Sequence, residues 1–144
     1  EKFDFKLKVQ FNASKKFYCI DNGMMNSIGF RFSENKGKMM ENIVAIELKR
    51  KASINESEVY YWKDVFQSEV DFIIKNNDKI IELIQVSYAV FPDNIREREI
   101  KSLLKGSTAL RCNTLSIITW DYEEEKIFDD KKIKFIPLWK WLLD

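Results

Sequence analysis

The sequence predicts an α/β fold in which a mixed β-sheet is flanked by helices, and three observations carry that prediction. Residues 57–88 read as three consecutive strands parted by short polar turns at Lys63-Asp64 and Asn76-Asn77-Asp78. A helical stretch follows from Asp93 to Gly106, ahead of the buried strand Leu115-Ser116-Ile117-Ile118-Thr119-Trp120, and a strand–helix–strand crossover makes its two strands parallel. A long helix over residues 36–51 precedes the strands, with Met40, Ile43, Val44 and Leu48 at helical spacing.

The elements follow in chain order. Phe3, Phe5, Leu7 and Val9 alternate with polar residues, which predicts a half-buried strand over 3–11. Lys16 to Asp21 predict a second short strand ending at Asn22-Gly23, and Met24 to Phe32 a short helix or irregular turn. After the long helix, the three strands centre on Tyr60-Tyr61-Trp62, on Glu69-Val70-Asp71-Phe72-Ile73-Ile74, and on the run from Ile80 to Ser87. Asp93 is placed to cap the crossover helix and Gly106 to stop it. Ile133 to Ile136 predict a further strand, and Leu138 to Leu143 a terminal helix begun after Pro137.

Composition narrows the function classes. At 144 residues and 45% hydrophobic, residues 1–144 make one domain with its own core. A net charge of +1 gives no whole-molecule pull toward nucleic acid or anionic membrane, so any such contact rests on a local patch. There is no histidine, which removes the commonest acid–base group at neutral pH and the commonest ligand for zinc, copper or iron. A metal here would be held by oxygen, as magnesium, manganese or calcium are. Cys19 and Cys112 each sit in apolar surroundings and read as two buried thiols in a reducing compartment. No run reaches the length of a membrane span, and the N-terminal residues lack the apolar centre of a signal peptide. The expectation is a soluble, cytoplasmic protein with no membrane partner. The chain opens in mid-pattern without methionine, which predicts a piece of a larger protein.

The residues able to carry chemistry are few. At about 100° per residue, Glu41 falls inside the apolar arc that Met40, Val44 and Leu48 define, and Glu47 falls there too. A carboxylate turned toward a core needs a lysine, a backbone amide or a metal to satisfy it. Asp71 lies within the apolar run of its strand, where an unpaired Asp is costly. On the next strand Gln85 and Ser87 share one face, opposite Ile84 and Val86, and a hairpin register that sets Asp71 against Gln85 gathers a carboxylate, an amide and a hydroxyl. Arg96, Arg98, Lys101 and Lys105 give the crossover helix a basic edge interleaved with Glu97 and Glu99. That edge reads as a solvated face of charge pairs, with a phosphate-binding face as the alternative. Tyr60, Tyr61 and Trp62 read as packing residues or as stacking platforms for bases. There is no glycine-rich phosphate loop.

Asp21-Asn22-Gly23, Gly37-Lys38-Met39-Met40-Glu41-Asn42, Tyr60-Tyr61-Trp62, Glu69-Val70-Asp71-Phe72, Ile84-Gln85-Val86-Ser87-Tyr88, Arg96-Glu97-Arg98-Glu99-Ile100 and Ile136-Pro137-Leu138-Trp139-Lys140-Trp141 stand in that order along nearly the whole chain. Together they resemble the C-terminal domain of predicted AAA-type ATPases of archaea and anaerobic bacteria, a family related to the PD-(D/E)XK nucleases. The resemblance implies a restriction-endonuclease-like α/β sandwich. Glu41 matches the helix glutamate of that superfamily and Asp71 its metal-binding aspartate, while Gln85 and Ser87 stand where an acidic residue and a lysine belong. It also implies a weak magnesium or manganese site at Glu41 and Asp71, completed by the Val86 carbonyl and water. Without the lysine, the group that helps generate an attacking hydroxide is missing, although Glu99 or Lys101 of the crossover helix could stand in. Three functions stay open: an accessory, nucleic-acid-related domain with a degenerate site; an active magnesium-dependent nuclease acting on DNA; and a docking module for the ATPase domain upstream. Arg96, Arg98 and Lys101 are the nucleic-acid-binding residues expected in the first two.

Overall fold

The computed structural model describes residues 1–21, 23, 36–91, 93, 95 and 97–144. The expected short helix or turn at Met24 to Phe32 lies outside them. The chain opens with a short helix, α1 (Leu7–Asn12), and the long helix is α2 (Lys36–Asn55), one turn longer than its apolar spacing predicts. β1 (Glu58–Lys63), β2 (Glu69–Asn76) and β3 (Lys79–Ser87) then form an antiparallel meander. Asn77 and Asp78 make the two-residue turn between β2 and β3, and Asn77 takes a left-handed φ of 51°, which asparagine tolerates.

The chain crosses through α3 (Glu97–Leu110) to β4 (Leu115–Thr119), which pairs parallel to β3, as the crossover predicts. β5 (Glu124–Phe128) and β6 (Lys131–Pro137) form a hairpin that adds β6 parallel to β4. The six-stranded mixed sheet runs β1-β2-β3-β4-β6-β5, and α4 (Leu138–Leu143) follows Pro137 directly. α3 lies across β2 and β3 on one face, and α2 lies across β1 and β3 on the other.

Two apolar clusters result. Val70, Ile73, Leu83, Leu103, Leu115 and Ile117 close the α3 face, while Met40, Val44, Leu48, Phe72, Ile84 and Ile118 close the α2 face with Leu138 and Trp141 of α4. Tyr60 and Trp62 pack against the first cluster, so two of the three aromatics of β1 are packing residues.

Four expectations about the elements need correction. Residues 3–11 are not a strand: Lys2 makes a single bridge to Tyr61, Phe3 enters the core, and the chain turns helical at Leu7. Alternation alone selects a strand only where a neighbouring strand is free to pair. Lys16 to Asp21 run extended but join no sheet; they are held through side chains. The crossover helix begins at Glu97 rather than Asp93 and does not stop at Gly106. Gly106 instead lets the helix approach the sheet, since a Cβ there would lie 2.7 Å from Cγ2 of Val70. The stop comes later, as a Schellman motif: Arg111 takes a left-handed φ of 54° and the Cys112 amide donates to the Ser107 carbonyl at 3.1 Å.

Candidate functional site

A register slip in the first hairpin creates the site. Tyr60 pairs with Ile73 and Trp62 with Val70, so Asp71 and Phe72 together face Tyr61. This is a β-bulge, a feature that re-aims a side chain. Phe72 goes into the α2-face cluster, and the Asp71 carboxylate turns to the end of the ladder between β2 and β3. There it replaces main-chain pairing: the Val86 amide donates to Asp71 Oδ2 at 3.0 Å, and the Asp71 amide donates to Gln85 Oε1 at 3.4 Å. Asp71, Gln85 and Ser87 are all buried.

Lys16 completes the arrangement from the N-terminal segment. Its ammonium lies 2.6 Å from Glu69 Oε1, 3.0 Å from Glu41 Oε1 and 3.2 Å from Asp71 Oδ1, and sits over the ring of Tyr61. Tyr18 donates its hydroxyl to Glu41 Oε1 at 2.9 Å. Asn42, buried on α2, clasps the same segment at both its amide groups, accepting from the Cys19 amide at 2.8 Å and donating to the Cys19 carbonyl at 2.7 Å. Tyr61 donates its hydroxyl to the Ser14 carbonyl. Residues 14–21 thus form a strap across the carboxylates. Glu41 is satisfied by a lysine and a tyrosine, one of the outcomes its place in the helical arc allowed, while Glu47 is held by Arg50 at 2.6 Å.

Electrostatics follow from burial. Desolvation pushes the Asp71 carboxyl up to about 6; Lys16 opposes that rise and Glu41 adds to it. Burial alone would lower the pKa of Lys16, but Asp71, Glu69, Tyr18 and Glu41 outweigh it and hold the ammonium well above its ordinary value. Burial drives the Tyr18 phenol up, and Glu41 drives it further while Lys16 opposes. Lys16 is therefore a fixed cation and not a proton acceptor.

A cavity of about 800 Å³ opens beside these groups. Glu41, Glu69, Asp71, Gln85, Ser87 and Glu99 line it, with Lys36, Lys38, Lys63 and Arg98 as basic members of its wall. The structure thus brings Glu41, Asp71, Gln85 and Ser87 together from α2, β2 and β3. Of the basic residues expected to meet nucleic acid, Arg98 reaches the cavity wall, Lys101 is exposed and pairs with Glu97 at 2.7 Å, and Arg96 lies outside the described residues. Cys19 is only half-buried, whereas Cys112 is buried; both are free thiols.

Among the described residues no group of three or more His, Cys, Asp and Glu side chains is arranged to hold a metal ion. The carboxylates expected to bind magnesium or manganese instead surround an ammonium, so as they stand they do not fit that ion. Lys16, Tyr18 and Glu69 were not legible as site residues. Glu69 carried one signal, its place two residues before Asp71 on the same strand. Lys16 lies 55 residues from Asp71 and carried none.

Comparisons with known proteins place the chain in a family. It is 39% identical over 146 residues to an uncharacterised protein of Methanocaldococcus jannaschii, covering 97% of this chain and 32% of that one. It is 25% identical over 142 residues to an uncharacterised protein of Haemophilus influenzae, covering 96% of this chain and 32% of that one. The chain therefore spans about a third of the length of each relative. A solved half-complex of Thermococcus gammatolerans McrB AAA+ hexamers with bound McrC contains a chain similar at 15% identity and a TM-score of 0.42, over 70% of this chain and 27% of that one. No described helix is long and apolar enough to cross a membrane. Residues 36–141, from the start of α2 to the buried tryptophan of α4, match the model of one family, and the chain belongs to it: the domain of unknown function DUF4143.

Proposed function

We propose that this chain is the nuclease-like, PD-(D/E)XK-type domain of an AAA-type ATPase, with a degenerate acidic site and an accessory role at nucleic acid. The observation that carries the reading is the ammonium of Lys16, 2.6–3.2 Å from Glu69, Glu41 and Asp71, where the superfamily's hydrolytic metal would stand. A helix glutamate and an aspartate on an adjacent strand meet there as the resemblance implies, and Ser87 supplies no lysine function. The ATPase association rests on the sequence resemblance, and the greater length of both relatives leaves room for an ATPase portion. The four basic residues of the cavity wall suit a phosphodiester backbone.

The reaction this site is expected to lack is the test. Plasmid and single-stranded DNA incubated with the chain and magnesium or manganese should remain intact. Cleavage that disappears in Asp71→Ala would replace this reading with an active magnesium-dependent nuclease.

A second reading, a docking module for the ATPase portion of its own chain, is favoured by one observation. Phe17 and Ile20 on the outer side of the strap are 91% and 92% exposed. If they dock, Phe17→Ser with Ile20→Ser should weaken co-purification of the separately expressed ATPase portion; unchanged recovery would remove this reading.

A further inference from the structure

We propose that residues 14–21 are an intrachain inhibitor of cation binding: Lys16 carries a tethered ammonium onto Glu41, Glu69 and Asp71, and withdrawing it leaves a site for a hard divalent cation. The proposal deepens the nuclease-like reading and rests on it.

Three features of the strap and its seat carry the inference. The seat is built for a cation: oxygens from one helix and one strand converge on a single nitrogen within 3.2 Å. Carboxylate oxygens are the donors that magnesium, manganese and calcium take. A further acidic atom waits at the same cavity, since Glu99 Oε2 is buried without a hydrogen-bond partner and its residue lines the wall beside Asp71 and Glu41. An orphaned carboxylate oxygen is costly in that setting and is relieved by a nearby cation or a water bound to one.

The strap, for its part, is fastened by few groups. Its residues join no strand ladder. The Asn42 clasp, the Tyr18 hydroxyl and the Tyr61 hydroxyl hold it, and its bulky apolar side chains Phe17 and Ile20 face solvent. A segment with so little apolar burial opens locally at much lower cost than the sheet. A divalent ion and the ammonium cannot share the seat, because two cations at that separation repel as strongly as the carboxylates attract either. Strap closure and cation binding are therefore mutually exclusive.

Manganese alone is the probe. In wild type we expect no saturable binding at concentrations that fill Lys16→Ala, measured by loss of the free-ion electron paramagnetic resonance signal. In Lys16→Ala, manganese a hundredfold above its Kd should raise Tm by about 5–10 °C. Lys16→Ala combined with Asp71→Asn should lose that rise. A Lys16→Ala variant without a manganese response, or a wild type that binds manganese equally well, overturns the proposal.

Should Lys16→Ala not fold, wild type decides through amine acylation followed residue by residue. Lys16 should react more than about tenfold more slowly than exposed Lys101, and manganese should narrow the gap. Equal rates without metal, or a gap that millimolar manganese leaves unchanged, would defeat the strap as a competitor. Cation binding and DNA cleavage are separate readouts, so failure here is distinguishable from failure of the nuclease-like reading.

Discussion

The two ends of the β2–β3 hairpin solve opposite problems with the same strands. Toward the turn and the α3 face, Ile73 and Leu83 are fully buried among apolar neighbours, and Gly106 lets the helix settle onto Val70. Toward the other end, a one-residue bulge turns Asp71 inward, and the chain must bring a lysine from the N-terminal segment to neutralise it. Apolar packing is non-directional and satisfied by any neighbour of suitable volume. A buried carboxylate needs a particular partner, wherever in the sequence it lies.

The comparison is sharpest where each region loses its anchor. Lys16→Met keeps much of the side-chain volume but leaves Glu41, Glu69 and Asp71 facing one another, and should cost about 3–5 kcal/mol in urea unfolding at pH 7. That cost should shrink toward pH 5 as the carboxylates take up protons. Leu83→Ala, in the apolar region, should cost about 3 kcal/mol by cavity formation, with a loss that does not vary with pH. If both variants showed the same pH response, the two regions would not differ in the way described.

Asp71 itself gives a signed pH effect. Its carboxyl titrates at about 6 in the folded protein, above its value of 3.8 in the unfolded chain, so the folded state binds this proton more tightly. Stability from this group is greatest below the unfolded pKa and falls as pH rises through about 6, by about 3 kcal/mol in total. Asp71→Asn keeps an oxygen for the Val86 amide and leaves Lys16 with Glu41 and Glu69. It should therefore match or exceed wild-type stability at pH 7 and fall below it at pH 4. Chemical denaturation at both values checks this; a large loss at pH 7 would make Asp71 an essential partner of Lys16 and not a strained one.

The smallest effect belongs to the helix–sheet contact. Gly106→Ala places a methyl 2.7 Å from Val70 Cγ2 and gains helix propensity, leaving a net loss of about 1 kcal/mol. A gain in Tm would show that Val70 yields, and that the apolar face is looser than its burial indicates.

The outline of the candidate site was legible because its residues sit on elements with strong local patterns. The helical arc turned Glu41 inward, and the polar face of β3 set Gln85 and Ser87 beside Asp71. Its occupant was not legible. The missing lysine function was sought on the helix after β3, at Glu99 and Lys101, whereas the cation comes from a segment whose alternation read as a sheet strand. β5 escaped for a related reason: Glu124, Glu125 and Lys126 show no apolar alternation, and this edge strand exists only because β6 offers it a free side. Asp129 and Asp130, both at positive φ, mark its turn.

By itself the sequence determined the elements whose periodicity is strong and local: α2, the meander, the crossover through α3, and α4 after Pro137. Only the tertiary structure decided the fate of residues 3–21, where a short alternating pattern suits helix, strand or strap alike. The available partners settled it: β1 had room for one bridge at Lys2, and Asn42 with the carboxylates of Glu41, Glu69 and Asp71 captured the rest. Charge neutralisation acts through space, so no pattern along the chain announces which lysine a buried aspartate will recruit.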